Sequence, residues 1–173
     1  MGAQIIKVYG QEVPALRFIG KKYGDKDRVD GMFGKYWDDF HKNGWLDVIK
    51  KQTAIDMKTL YEDGDACIGL MRCKEGEPFE YWIGYFMPEG TGVPEGFESR
   101  DFPKAKLGVC WVCGEGGQVF MQEAKCAEKL GTEGYKISAG TDGAFWFFER
   151  YGNSRFCGDE KGNCILDICH YVE

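Results

Sequence analysis

The sequence predicts an α+β fold in which a strand–helix–strand–strand unit occurs twice, with a cleft where the two copies meet. Three observations carry that expectation. The order of elements repeats, Leu16 in the first unit answering Leu107 in the second about ninety residues on. A stretch punctuated by Pro88, Gly90, Gly92, Pro94, Gly96 and Pro103 separates the copies, giving halves of about 10–87 and 104–173 in a single domain of 1–173. Phe145, Trp146, Phe147 and Phe148 follow one another without a break. Because successive side chains of a strand point opposite ways, such a run must be covered on both faces. One unit cannot close its own sheet, so two lie side by side, and the seam between halves favours a small-molecule site.

Taken in order, residues 12–23 hold an alternating segment, Leu16 and Phe18 against Arg17 and Ile19, and read as a first strand. A charged loop follows, with Asp30 placed to cap a helix in which Phe33, Trp37 and Phe40 form an apolar stripe flanked by Tyr36 and His41. Asn43-Gly44 stops that helix, and 45–51 adds a short second one. After the turn Asp63-Gly64-Asp65, residues 67–73 and 79–87 form a hairpin. In the second unit 104–113 is a strand, Gly114-Glu115-Gly116-Gly117 a turn, and 118–130 a helix ended by Gly131. Residues 145–151 and 164–172 make the closing hairpin.

Composition narrows the function classes. A net charge of −6, with no basic run longer than a pair, argues against direct nucleic-acid binding, which needs a basic face. No apolar stretch approaches a membrane span, and the N-terminus lacks the basic start and long apolar core of a secretion signal. Eight cysteines in such a chain are most simply free thiols in a reducing cytoplasm. Cys110-Trp111-Val112-Cys113 resembles a redox or zinc motif, but within one strand its α-carbons stand about 10 Å apart, beyond the roughly 7 Å a disulfide spans. No partner pair has zinc-ligand spacing, so packing thiols are expected and neither metal nor cofactor. Gly114–Gly117 lacks the Lys-Ser/Thr of a phosphate loop, and His41 and His170 have no nucleophile with a supporting motif.

What remains is Glu149. Alternation puts it on the face of Phe145, Phe147 and Tyr151, while Trp146, Phe148 and Arg150 take the other, where a long arginine can snorkel to water. A carboxylate among rings is costly to leave unpaired, and burial pushes it toward its protonated form. Ring faces attract cations, each contact contributing up to about 2 kcal/mol when desolvated. A flat, weakly hydrated organic cation therefore suits the site. Glu149 is the expected charge partner, with Trp37, Phe40, Tyr85, Trp111, Phe145, Phe147 and Tyr171 as candidate walls.

The segments FEYWIGY (79–85), VPEGFE (93–98) and DFPKAK (101–106), in this order of elements, resemble the GyrI-like small-molecule-binding family. The same module is the effector-binding domain of AraC-type and multidrug-binding regulators. The resemblance covers roughly residues 10–173, with the central block its most specific part. It implies duplicated β-α-β-β units, two helices on a curved antiparallel sheet, and a pocket in which a strand-borne glutamate, here Glu149, meets cationic hydrophobic drugs. No helix-turn-helix segment is present, so a stand-alone binder of aromatic or cationic small molecules is expected rather than a complete transcription factor. Two alternatives come with the family. Some members are similar to hydrolases that open cyclopropane-bearing alkylators, in which case Glu149 would be the base and Trp111 would shape the site. Others suggest a gyrase-inhibitor-like regulator that acts on a protein partner.

Overall fold

In a computed structural model, which describes residues 2–173, one eight-stranded antiparallel sheet carries two main helices, an α+β fold. Met1, which opens the stretch read for a secretion signal, lies outside the described residues. The strands are β1 (Gln4–Val13), β2 (Leu16–Gly24), β3 (Cys67–Cys73), β4 (Glu80–Pro88), β5 (Glu98–Phe102), β6 (Ala105–Glu115), β7 (Phe145–Tyr151) and β8 (Asn163–Val172). The helices are α1 (Gly34–Lys42), the short α2 (Trp45–Lys50) and α3 (Glu123–Thr132).

In space the strands run β1-β6-β8-β7-β3-β4-β2-β5. Outward from the β3/β7 seam, one half reads β3-β4-β2 and the other β7-β8-β6, so the duplicated unit is visible in the strand order itself. The sequence misses the two outermost strands. Both β1 and β5 are sheet edges with most residues partly or fully exposed, so neither carries the apolar alternation that marks a half-buried strand. The charged ESRDF of β5 is the composition that keeps an open edge from pairing with other chains.

Three local expectations shift. Asp30 does not cap α1: it adopts a left-handed φ of 53° in the turn joining Val29 to Met32, and Phe33 holds the cap position without a side-chain bond. Helix α3 starts at Glu123 rather than Gln118, because a 3-10 turn over Gly116–Val119 and a left-handed Met121 precede it. Arg150 does not reach water. It is 1% exposed and lies on the sheet face away from the helices, 2.9 Å from the fully buried Asp167. Arg155 joins Asp167 at 2.6 Å and Asp63 at 2.8 Å, tying the loop after β7 to the sheet. The charges are compensated in place, which is what a buried arginine requires.

The stop at Asn43-Gly44 follows its expected physics: α1 ends at Lys42, and Gly44 takes φ 66°, a left-handed turn that glycine adopts without strain. In the 110–113 motif both cysteines sit within β6, three residues apart and therefore on opposite faces, with Cys110 packed in the core beside Cys126. No helix among the described residues is long and apolar enough to cross a membrane.

Both sheet faces are covered along β7. Away from the helices Phe148 meets Phe86 edge-on at 5.3 Å, and Trp146 meets Phe102 likewise at 5.3 Å. Toward the helices, Phe147, Glu149 and Tyr151 open onto a hollow.

Candidate functional site: a carboxylate at the floor of an aromatic cavity

Register builds the site. Glu149 on β7 lies opposite Gly69 on β3, Phe147 lies opposite both Met71 on β3 and His170 on β8, and Met71 lies opposite Tyr81 on β4. All these side chains rise from the same face of the sheet. α1 contributes Trp37 and α3 contributes Glu123 to the walls of a 580 Å³ cavity above them. Phe33, Phe79, Phe120, Met32 and Met121 complete its apolar lining.

At the floor Glu149 is 6% exposed. Its Oε2 accepts hydrogen bonds from the Tyr151 hydroxyl at 2.8 Å and the Tyr81 hydroxyl at 3.0 Å. Trp37 Nε1 in turn donates to the Tyr81 hydroxyl at 2.9 Å, orienting that phenol. Oε1 makes no hydrogen bond. Every fully enclosed side-chain nitrogen or oxygen among the described residues has a partner, so Oε1 is not sealed and looks into the cavity that Glu149 lines. Burial pushes the Glu149 carboxyl up to about 7, and the nearby Glu123 carboxylate adds to the rise. The two phenols pull the other way without restoring an ordinary value. Both phenols are themselves driven well above their usual range, first by burial and then by the carboxylate, so they remain donors.

The rings are fixed against one another. Tyr81 stacks on Phe33 at 4.2 Å with their planes 1° apart, and Tyr151 meets Trp37 at 4.7 Å. Phe147 stacks on His170 at 5.3 Å. Arg28 stands at the rim over Phe33, held by Asp25 at 2.8 Å.

Of the residues expected at the site, Glu149, Trp37 and Phe147 come together in this cavity. Five others do not. Phe40 is fully buried between helix and sheet. Tyr85 shares the correct face but stands four residues beyond Tyr81, beside a separate small cavity near Lys50 and Asp65. Trp111 and Tyr171 fall on the opposite face, because β8 pairs with β7, and β6 with β8, so that Cys110, Ile168 and His170 point toward the helices instead. There Trp111 packs against Tyr9 with Arg155 above it, and Tyr171 stacks on Phe102. Phe145 lies on the helix-facing side but at the strand's outer end, 46% exposed.

Sequence reasoning missed Tyr81, Tyr151's role as a donor, His170 and Gly69. Gly69 was the available signal, since a glycine inside a strand marks a close approach. A Cβ there would stand 2.6 Å from the Tyr81 hydroxyl and 2.8 Å from Glu149 Oε2. Gly69→Ala is therefore expected to displace the phenol–carboxylate cluster and lower stability by about 1–3 kcal/mol, the usual effect of overpacking. Urea denaturation checks this; an unchanged midpoint would mean that the cluster yields freely.

No protein-family model matches the chain, and no curated protein matches it by sequence. Solved structures do match in fold. SAV2435, solved bound to tetraphenylphosphonium, is 15% identical with a TM-score of 0.63, over 97% of this chain and 94% of that one. The C-terminal domain of EcmrR is 14% identical with a TM-score of 0.61, over 96% and 97%. A hydrolase from Listeria innocua is 12% identical with a TM-score of 0.51, over 96% and 92%. What these likenesses show is a shared fold: the α+β architecture of this chain, an eight-stranded antiparallel sheet with two main helices, is similar to that of these proteins.

Proposed function

We propose that this protein binds hydrophobic aromatic cations in the cavity over β7, with Glu149 as charge partner. The observation that carries the reading is the half-satisfied carboxylate. One oxygen is fixed by two phenols, while the other faces an aromatic-lined space. Phe33, Trp37, Tyr81, Phe147 and Tyr151 supply ring surface, and a weakly hydrated organic cation loses little on leaving water. SAV2435 shares the fold and was solved with a cation of this class, which supports the reading. The unpaired state of all eight cysteines fits a cytoplasmic setting.

Fluorescence titration with a cationic dye panel tests it on wild type and Glu149→Gln. The expected result is micromolar affinity, near −8 kcal/mol, weakened about tenfold or more in the variant. A wild type that binds no dye, or a variant that binds equally well, removes the proposal.

A second reading has its own support. A carboxyl raised to about 7 is suited to act as a general base near neutral pH, and a hydrolase shares the fold. Under it Glu149 would activate water against a cyclopropane-bearing alkylator, with Tyr81 and Tyr151 as the flanking donors in place of the distant Trp111. A water adduct detected by mass spectrometry, absent with Glu149→Gln although binding persists, would favour this reading.

A further inference from the structure

A second hydrogen-bond acceptor lines the same cavity as Glu149. His170 Nε2 lies 3.2 Å from the backbone carbonyl oxygen of Glu123. A carbonyl only accepts, so Nε2 carries the hydrogen, and in the neutral imidazole Nδ1 is left with a bare lone pair. Burial holds the ring neutral, pushing its pKa down to about 4. Nδ1 makes no hydrogen bond, yet no fully enclosed side-chain nitrogen lacks a partner among the described residues, and His170 lines the same cavity. The register Phe147 to His170 and Glu149 to Ile168 makes Glu149 and His170 diagonal neighbours on one face, a spacing of roughly 7–8 Å between backbone positions. Both unbonded acceptors thus belong to the lining of one cavity, on neighbouring strands.

We infer that the cavity selects aromatic cations bearing N–H donors, such as primary ammonium or amidinium groups, over permanently quaternary ones, through paired acceptors on Glu149 and His170. This rests on the proposed binding of cations. An N–H cation donates to both acceptors at once, whereas a quaternary cation offers only charge and apolar surface. A cavity without that second acceptor gains no such preference, because the ammonium gives up more hydration on entry and the lone carboxylate only offsets that cost. His170 is in this respect a specificity-determining residue, with Phe147 fixing its ring by stacking.

A matched pair of probes tests it at pH 8: a naphthylmethylammonium and its N,N,N-trimethyl counterpart, measured by calorimetry. Wild type is expected to prefer the primary ammonium about tenfold, the effect of one hydrogen bond between charged and neutral partners. His170→Phe, which keeps a flat ring against Phe147, is expected to abolish the preference by weakening only the primary ammonium. His170→Gln, with an amide donor for the Glu123 carbonyl and an acceptor for the cavity, restores most of it. Equal wild-type affinities, or a loss in His170→Phe that falls equally on both probes, overturns the inference while leaving cation binding intact. Failure of both probes to bind overturns the binding proposal and this inference with it. Should His170→Phe not fold, the wild-type preference and the His170→Gln value still decide.

Discussion

Affinity for tetraphenylphosphonium is expected to rise about a hundredfold between pH 5 and pH 8, and Glu149→Gln is expected to remove most of that rise. The ligand carries the same charge throughout, so the change belongs to the protein. Only the ionised Glu149 neutralises the cation. With its pKa near 7, roughly one molecule in a hundred is ionised at pH 5 and most are at pH 8, and apparent affinity scales with that fraction. The groups facing Glu149 are Tyr81 on β4, Tyr151 on β7, His170 on β8, Glu123 on α3 and Arg28 at the rim. The phenols stay protonated across the window because burial drives them upward. The imidazole stays neutral because burial drives it downward. Glu123 is also raised by burial and contributes to the rise. The variant separates the two, since Glu123 is common to both proteins. Calorimetry at four pH values reads the result, and a flat wild-type profile would show that the carboxylate is not the partner.

Glu149 and His170 set opposite slopes in folding stability. Glu149 has a folded pKa of about 7 against an ordinary value of 4.5. Between these values the native state holds the extra proton, so its contribution is complete below pH 4.5 and is lost as pH rises through 7. His170 has a folded pKa of about 4 against 6.5. There the unfolded state holds the extra proton, so its contribution is complete above pH 6.5 and is lost as pH falls through 4. Each shift corresponds to about 3 kcal/mol, at 1.36 kcal/mol per pKa unit. From pH 4.5 to 6.5 the two contributions cancel in the wild type.

Single variants expose them. Relative to wild type, Glu149→Gln gains stability as pH rises from 4.5 to 6.5, and His170→Phe loses it, by up to about 3 kcal/mol in each case. Urea denaturation at pH 4.5, 5.5 and 6.5 measures both differences, and the slopes of other carboxylates drop out of the comparison. Parallel curves for all three proteins would show that neither group is held in its neutral form.

Much of the architecture is written locally. The hairpins at 67–88 and 145–172 follow from apolar strands bounded by turns, and α1 from the Phe33, Trp37, Phe40 spacing and its glycine stop. The edge strands β1 and β5 are illegible for a physical reason: strands wetted along most of their length do not need the apolar pattern by which strands are recognised. The site divides in the same way. Glu149 is legible because a carboxylate within an aromatic run conflicts with its surroundings whatever the fold. Tyr85 and Tyr171 are misplaced because a ring at a strand position is apolar on either face and at any height along the strand.

By itself the sequence determined the α+β class, the doubled unit and the acid among rings, since each depends on neighbours along the chain. Only the tertiary structure decided that Tyr81 and Tyr151 clasp one oxygen of Glu149 while the other faces the cavity with His170. It also decided that Arg150 closes on Asp167 instead of reaching water. Those outcomes depend on register between strands far apart in sequence, where a shift of one residue turns every side chain to the opposite face.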